Sequence, residues 1–175
     1  MSFLRKQESR NSSHYWTHRN CEGRDKQEEV GYKIMTRRLE ALDRICQGFG
    51  VAILYVFGSQ AQKVRNWVEE QSDQLPVDFS DVDIGIKGQP GRTFSVTDKV
   101  NLSIALEDLF RSKRVDLIVL PEADPFLAAE IIRGERLFVR DEHEADEYDL
   151  YILRRAGDLA PLERERIALI LGETT

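Results

Sequence analysis

The sequence predicts an α+β fold, one small mixed β-sheet flanked by helices with further helices at the C-terminal end. Three observations carry that prediction. The run VAILYVF, Val51 to Phe57, is apolar or aromatic at every position, as suits a central strand covered on both faces. Two more strand-like runs follow it, DVDIGIK from Asp81 and RVDLIVL from Arg114. Around them lie segments with helical spacing, so the order is helix, strand, strand, helix, strand, helix, strand about a single sheet.

Each element has its own signal. Leu39, Leu42, Ile45 and Cys46 fall on one helical face, and Gly48 is expected to end that helix. After Val51–Phe57, a polar passage runs to Ser80 with Trp67 and Val68 as possible anchors and Pro76 as a breaker. SVTD, Ser95 to Asp98, has capping-box spacing ahead of a helix whose apolar side is read as Val100, Ile104, Leu106, Leu109 and Phe110. Asp124-Pro125 opens another helix, with a capping side chain and a proline in its first turn, and Gly134 closes it before the short strand RLFV. The chain ends in two expected helices, Glu142 to Ala156 and Pro161 to Leu171, separated by Gly157. No internal repeat is present.

Residues 1–34 read differently. They mix charges, Ser, Asn and isolated aromatics without a sustained period, the composition of a segment that does not repay its ordering entropy. FLRKQESR also resembles the translation of a dispersed bacterial repeat element, so two readings stand together: a disordered arm, or a spurious extension with Met35 as the start. Residues 35–175 form the expected globular unit.

Composition excludes several classes. With 41% apolar residues in 175, the chain can bury a core. A net charge of −6 argues against stable nucleic-acid binding through the overall field. Cys21 and Cys46 lie far apart without metal-ligand spacing, which favours a reducing, cytoplasmic setting. No apolar run approaches the ~20 residues needed to span a bilayer.

The chemistry lies at strand ends. Val51–Phe57 runs straight into Gly58-Ser59, either a plain turn or a place where backbone approaches a small anion closely. In DVDIGI the side chains alternate, so Asp81, Asp83 and Gly85 share one face while Val82, Ile84 and Ile86 share the other. Two neighbouring carboxylates repel and raise one another's pKa unless a cation intervenes. Magnesium takes oxygen ligands of this kind and completes its shell with water and substrate phosphates. Asp116 stands among Val115, Leu117, Ile118 and Val119, where a charge is costly unless paired or bound to a cation. Arg114, on the same strand face, is a candidate partner.

Gly58-Ser59, then Asp81-Val82-Asp83, then Asp116 resembles the polymerase beta-like nucleotidyltransferase superfamily, and within it the minimal nucleotidyltransferase (MNT) domains. The resemblance extends from about Leu42 through DPFLAAEIIRGERLFVRD and YDLYILRRAGDL. It implies the polymerase-beta-like fold and a catalytic, metal-binding set of Asp81, Asp83 and Asp116. Asp81 and Asp83 would hold two Mg2+ ions, and Asp116 would help ligate one and accept the proton of the incoming hydroxyl. Gly58 and Ser59 would lead into a helix whose amides hold the phosphates of ATP. Where the family usually continues with an arginine and another glycine, this chain reads Gln60-Ala61-Gln62-Lys63, so the expected phosphate grip is either weaker or moved to Lys63 or Arg65. The stretch Val64 to Phe79 reads as an insertion.

As function, the resemblance implies transfer of AMP to a hydroxyl of a HEPN-type toxin, the chain being its antitoxin. Two alternatives stand beside it: modification of a small hydroxylated compound, as in aminoglycoside nucleotidyltransferases, and an antitoxin that acts by binding alone.

Overall fold

A computed structural model describes residues 37–69 and 80–172. The expected extension 1–34 and the segment 70–79 lie outside the described residues. Four strands, β1 (Val51–Phe57), β2 (Asp81–Gly88), β3 (Arg114–Val119) and β4 (Glu135–Val139), form one sheet in the order β3-β2-β1-β4. β1 runs antiparallel to both β2 and β4, and β2 runs parallel to β3. The sheet is mixed, as expected.

Helices cover both faces. α1 (Arg37–Phe49), α2 (Ala61–Glu69) and α3 (Val96–Phe110) bury Leu42, Cys46, Trp67, Val68, Leu106 and Phe110 against one face, where Val82, Ile84 and Ile86 of β2 are fully buried. α4 (Pro125–Ile132) and α5 (Glu142–Leu171) cover the other, packing Ile131, Ala145 and Ile152 against Ile53 and Tyr55. Tyr55 is completely buried, and its hydroxyl donates to Asp149 Oδ1 at 2.5 Å. Arg136 Nη2 on β4 donates to the other oxygen of that carboxylate at 2.6 Å, so one acid ties α5 to two strands. A phenol buried at mid-strand needs such a partner, which is why a tyrosine is tolerated in an otherwise apolar run.

Four expectations change. The polar passage after Ser59 opens with the helix that the resemblance implied: α2 occupies Ala61–Glu69, with Val64, Trp67 and Val68 buried at i, i+3 and i+4. The expected insertion Val64 to Phe79 therefore begins inside a helix. Trp67 is its packing anchor, edge-on to Phe110 with the Arg38 guanidinium 4.4 Å from its ring centroid. In α3, the buried face is Leu102, Leu106 and Phe110, while Val100 and Ile104 are half exposed. A run apolar on two sides does not say which side meets the sheet.

The two C-terminal helices are one. α5 runs unbroken from Glu142 to Leu171 through Gly157 and Pro161, and the left-handed cap that ends it is Gly172 at φ 72°. Gly157 is not among the positive-φ residues, so it does not act as a terminator. α1 likewise passes Gly48, and the left-handed residue after it is Gly50 at φ 72°. The Ser95 capping box and the Asp124 cap with Pro125 in the first turn form as expected.

Candidate active site

β1 delivers the first element of the site. Phe57 is extended, Gly58 turns with φ +75°, and a short 3-10 turn, Gly58–Gln60, passes directly into α2. That φ already favours glycine. A second constraint is stronger: a β-carbon on Gly58 would lie 2.6 Å from Asp83 Oδ2. The glycine leaves room for a carboxylate, and both Gly58 and Ser59 are exposed beside it.

The pairing register brings the acids together. Asp83 lies opposite Phe57 on one side and is the Cα partner of Asp116 on the other, so the two acids stand side by side on neighbouring strands, whose backbones are roughly 4.8 Å apart. Asp81 is one side-chain repeat further along β2 and is the partner of Arg114. All three acids project from the face covered by α4 and α5. Gly85, next on that face, is closed over by Ile131, whose Cγ2 would meet an added β-carbon at 2.2 Å. Gly134 presses the α4–β4 turn against the end of β1, where an added β-carbon would lie 2.4 Å from the Val56 carbonyl oxygen. These two close approaches seat α4 against the strand ends that carry the site, and nothing in the local pattern around either glycine announced it.

The electrostatics follow from this crowding. Burial is the main cause that raises the Asp83 pKa, and the charges of Asp116 and Asp81 raise it further while Arg114 opposes them. Asp116 is less buried than its apolar neighbours suggested, its side chain being 40% exposed, and Arg114 Nη2 pairs with its Oδ1 at 2.7 Å. Among the described residues, no group of three His, Cys, Asp or Glu side chains forms a ready-made metal cluster. The donor set nevertheless suits a hard divalent cation, being all carboxylate oxygen with mutual repulsion to relieve.

The cations fall into two groups. Lys63 is exposed on the first turn of α2. Arg65 is drawn away, pairing with Glu69 at 3.4 Å and with Glu135 of β4. Of the two candidates for phosphate contact, Lys63 is the one not engaged in that α2–β4 pairing. Sequence reasoning missed Glu107 of α3, whose Oε1 accepts from the Val115 amide at 3.2 Å and pins the start of β3 next to Asp116.

Asp83 carries a stability consequence. A carboxyl whose folded-state pKa is raised holds its proton more readily folded than unfolded. Its ionisation thus opposes folding, and stability falls as pH rises from the ordinary carboxylate range through the raised value. Asp83→Asn should therefore melt at a higher temperature than the parent at neutral pH without metal, with the difference shrinking as pH falls. The same variant should gain nothing from ATP with magnesium, whereas the parent should gain by mass action. Thermal melts across pH, with and without ATP–Mg2+, check both halves.

The family model for polymerase beta nucleotidyltransferases matches residues 40–143, a span that contains Gly58, Ser59, Lys63, Asp81, Asp83 and Asp116. Among solved structures, a mutant of the toxin-antitoxin MntA-HpeT superposes with TM-score 0.58 at 17% identity, covering 76% of this chain and 98% of that one. A toxin-antitoxin structure with AMP-PNP gives 0.58 at 16% identity, with the same coverage of both chains. A tri-AMPylated Shewanella oneidensis HEPN toxin in complex with MNT antitoxin gives 0.56 at 14% identity, covering 77% and 96%. At these identities the likeness is one of fold. No curated protein matches the sequence. By the match over residues 40–143, more than half of its length, this chain belongs to the polymerase beta nucleotidyltransferase family.

Proposed function

We propose that the chain transfers AMP from ATP to a hydroxyl of a HEPN-type partner protein and thereby acts as the antitoxin of a toxin-antitoxin pair. The observation that carries the reading is the registered pair Asp83 and Asp116 on adjacent parallel strands, beside a glycine whose missing β-carbon makes room for Asp83. The solved structures of similar fold include an MNT antitoxin with an AMPylated HEPN toxin and a toxin-antitoxin with AMP-PNP, which supports both the partner and the nucleotide.

In this reading, Asp81, Asp83 and Asp116 would hold Mg2+, which would supply charge neutralisation at the α-phosphate of the transferred nucleotidyl group. Backbone amides of Gly58 and Ser59, at the turn into α2, face the nucleotide's phosphates, with Lys63 one helical turn on. Asp116 accepts the acceptor's proton as its oxygen attacks the α-phosphorus. The bond from that phosphorus to the bridging oxygen breaks, and pyrophosphate leaves. The working unit is residues 35–175, with the protein in the cytoplasm, and among the described residues no helix is long and apolar enough to cross a membrane.

The test is transfer itself. Purified chain, HEPN-type partner and labelled ATP with magnesium should give a labelled partner. Label-free partner alongside full neutralisation would favour action by binding alone, and consumption of ATP only with hydroxylated antibiotics would favour the small-molecule reading.

A further inference from the structure

Arg114 opens β3 two residues before Asp116, and both side chains leave the strand on the same face. Its guanidinium pairs with Asp116 Oδ1 at 2.7 Å, and its backbone is in register with Asp81, so the residue neighbours two of the three acids. Its charge also reaches Asp83, where it offsets part of the repulsion from the other two carboxylates. The pair is exposed, 67% for Arg114 and 40% for Asp116. Exposed pairs of this kind are weak, enough to bias a side chain and too little to lock it.

We infer that Arg114 is a displaceable internal counter-cation, holding Asp116 while the carboxylates lack a divalent ion and giving it up when one binds. This rests on the reading of Asp81, Asp83 and Asp116 as a divalent-cation site. The exchange is confined to side chains, because the Glu107 carboxylate fixes the Val115 amide between the two partners. Once released, the guanidinium is free to turn into solvent or toward substrate phosphates, for which its planar fork is suited. A lysine in its place keeps the charge and loses the fork. Arg114 is in this sense a positioning residue, acting on the site through Asp116.

The experiment is a titration of Mn2+ alone, followed by electron paramagnetic resonance, on the full chain and on Arg114→Ala, Arg114→Lys and Lys113→Gln at near-physiological salt, where distant charges are screened. Removing the competitor should tighten Mn2+ binding roughly two- to five-fold in Arg114→Ala. Arg114→Lys should stay near the parent, and Lys113→Gln should not change. Equal Mn2+ affinity in parent and Arg114→Ala, or an equal gain in Lys113→Gln, overturns the displacement role alone. Weaker binding in Arg114→Ala overturns it by making Arg114 a support of the site. No Mn2+ binding by any of the four chains overturns the divalent-site reading and the inference with it.

Discussion

Asp116→Asn lowers the rate of nucleotidyl transfer by roughly 10²–10⁴-fold, the usual contribution of a positioned proton acceptor. Asparagine keeps the size of the side chain and removes both its charge and its basicity. The fold should survive the change, since the Asp116 side chain is 40% exposed and the pair it forms with Arg114 lies at the surface. Complex formation with the partner should survive too. The loss must therefore appear in the transfer rate with ATP and partner saturating, more than in nucleotide affinity. Single-turnover transfer of label from ATP checks this, and a variant that transfers at the parent's rate removes Asp116 from the chemistry.

Gly58→Ala produces the second large effect, and Gly91→Ala separates its causes. Both glycines have left-handed backbones, φ +75° and +76°. Alanine at either position should cost about 1–2 kcal/mol of stability from the backbone alone. At Gly91 nothing lies within 4 Å of the added carbon, whereas at Gly58 it meets Asp83 Oδ2 at 2.6 Å. The Asp83 carboxylate must move, and misplacing a catalytic group by about 1 Å can cost on the order of 10²-fold in rate. Thermal melts and transfer rates on the two variants should show similar destabilisation with activity lost only in Gly58→Ala. Equal activity in both would mean that the carboxylate's position beside Gly58 has no part in the reaction.

The strands that carry the site were legible because their patterns are local. An unbroken apolar run marks β1 as the covered centre of the sheet, and alternation alone places Asp81 and Asp83 opposite Val82, Ile84 and Ile86. The caps at Ser95 and Asp124 were legible for the same reason. Pairing is not local. That Asp116 registers with Asp83, and that β4 closes the far side of β1, depends on segments tens of residues apart; the resemblance implied only that the three acids share a site, not the pairing. α2 was implied by the resemblance alone, because its buried residues, Val64, Trp67 and Val68, stand among polar ones beside a passage carrying Pro76. α5 was split because glycine and proline usually end helices, a weak rule where the backbone stays helical and the cap lies beyond at Gly172. The requirement for Gly58 was half legible: a turn was expected, but the Asp83 carboxylate lying over it is a three-dimensional fact.

The central claim is that these acids transfer AMP to a partner's hydroxyl, and the most direct measurement is the intact mass of that partner. HEPN-type partner incubated with the full chain, ATP and magnesium should gain mass in whole AMP increments, on a tyrosine or other hydroxyl located by fragmentation. Asp83→Asn in place of the parent should leave the mass unchanged. A partner that stays unmodified while the parent chain neutralises it, or one that is modified equally by parent and Asp83→Asn, would contradict the account.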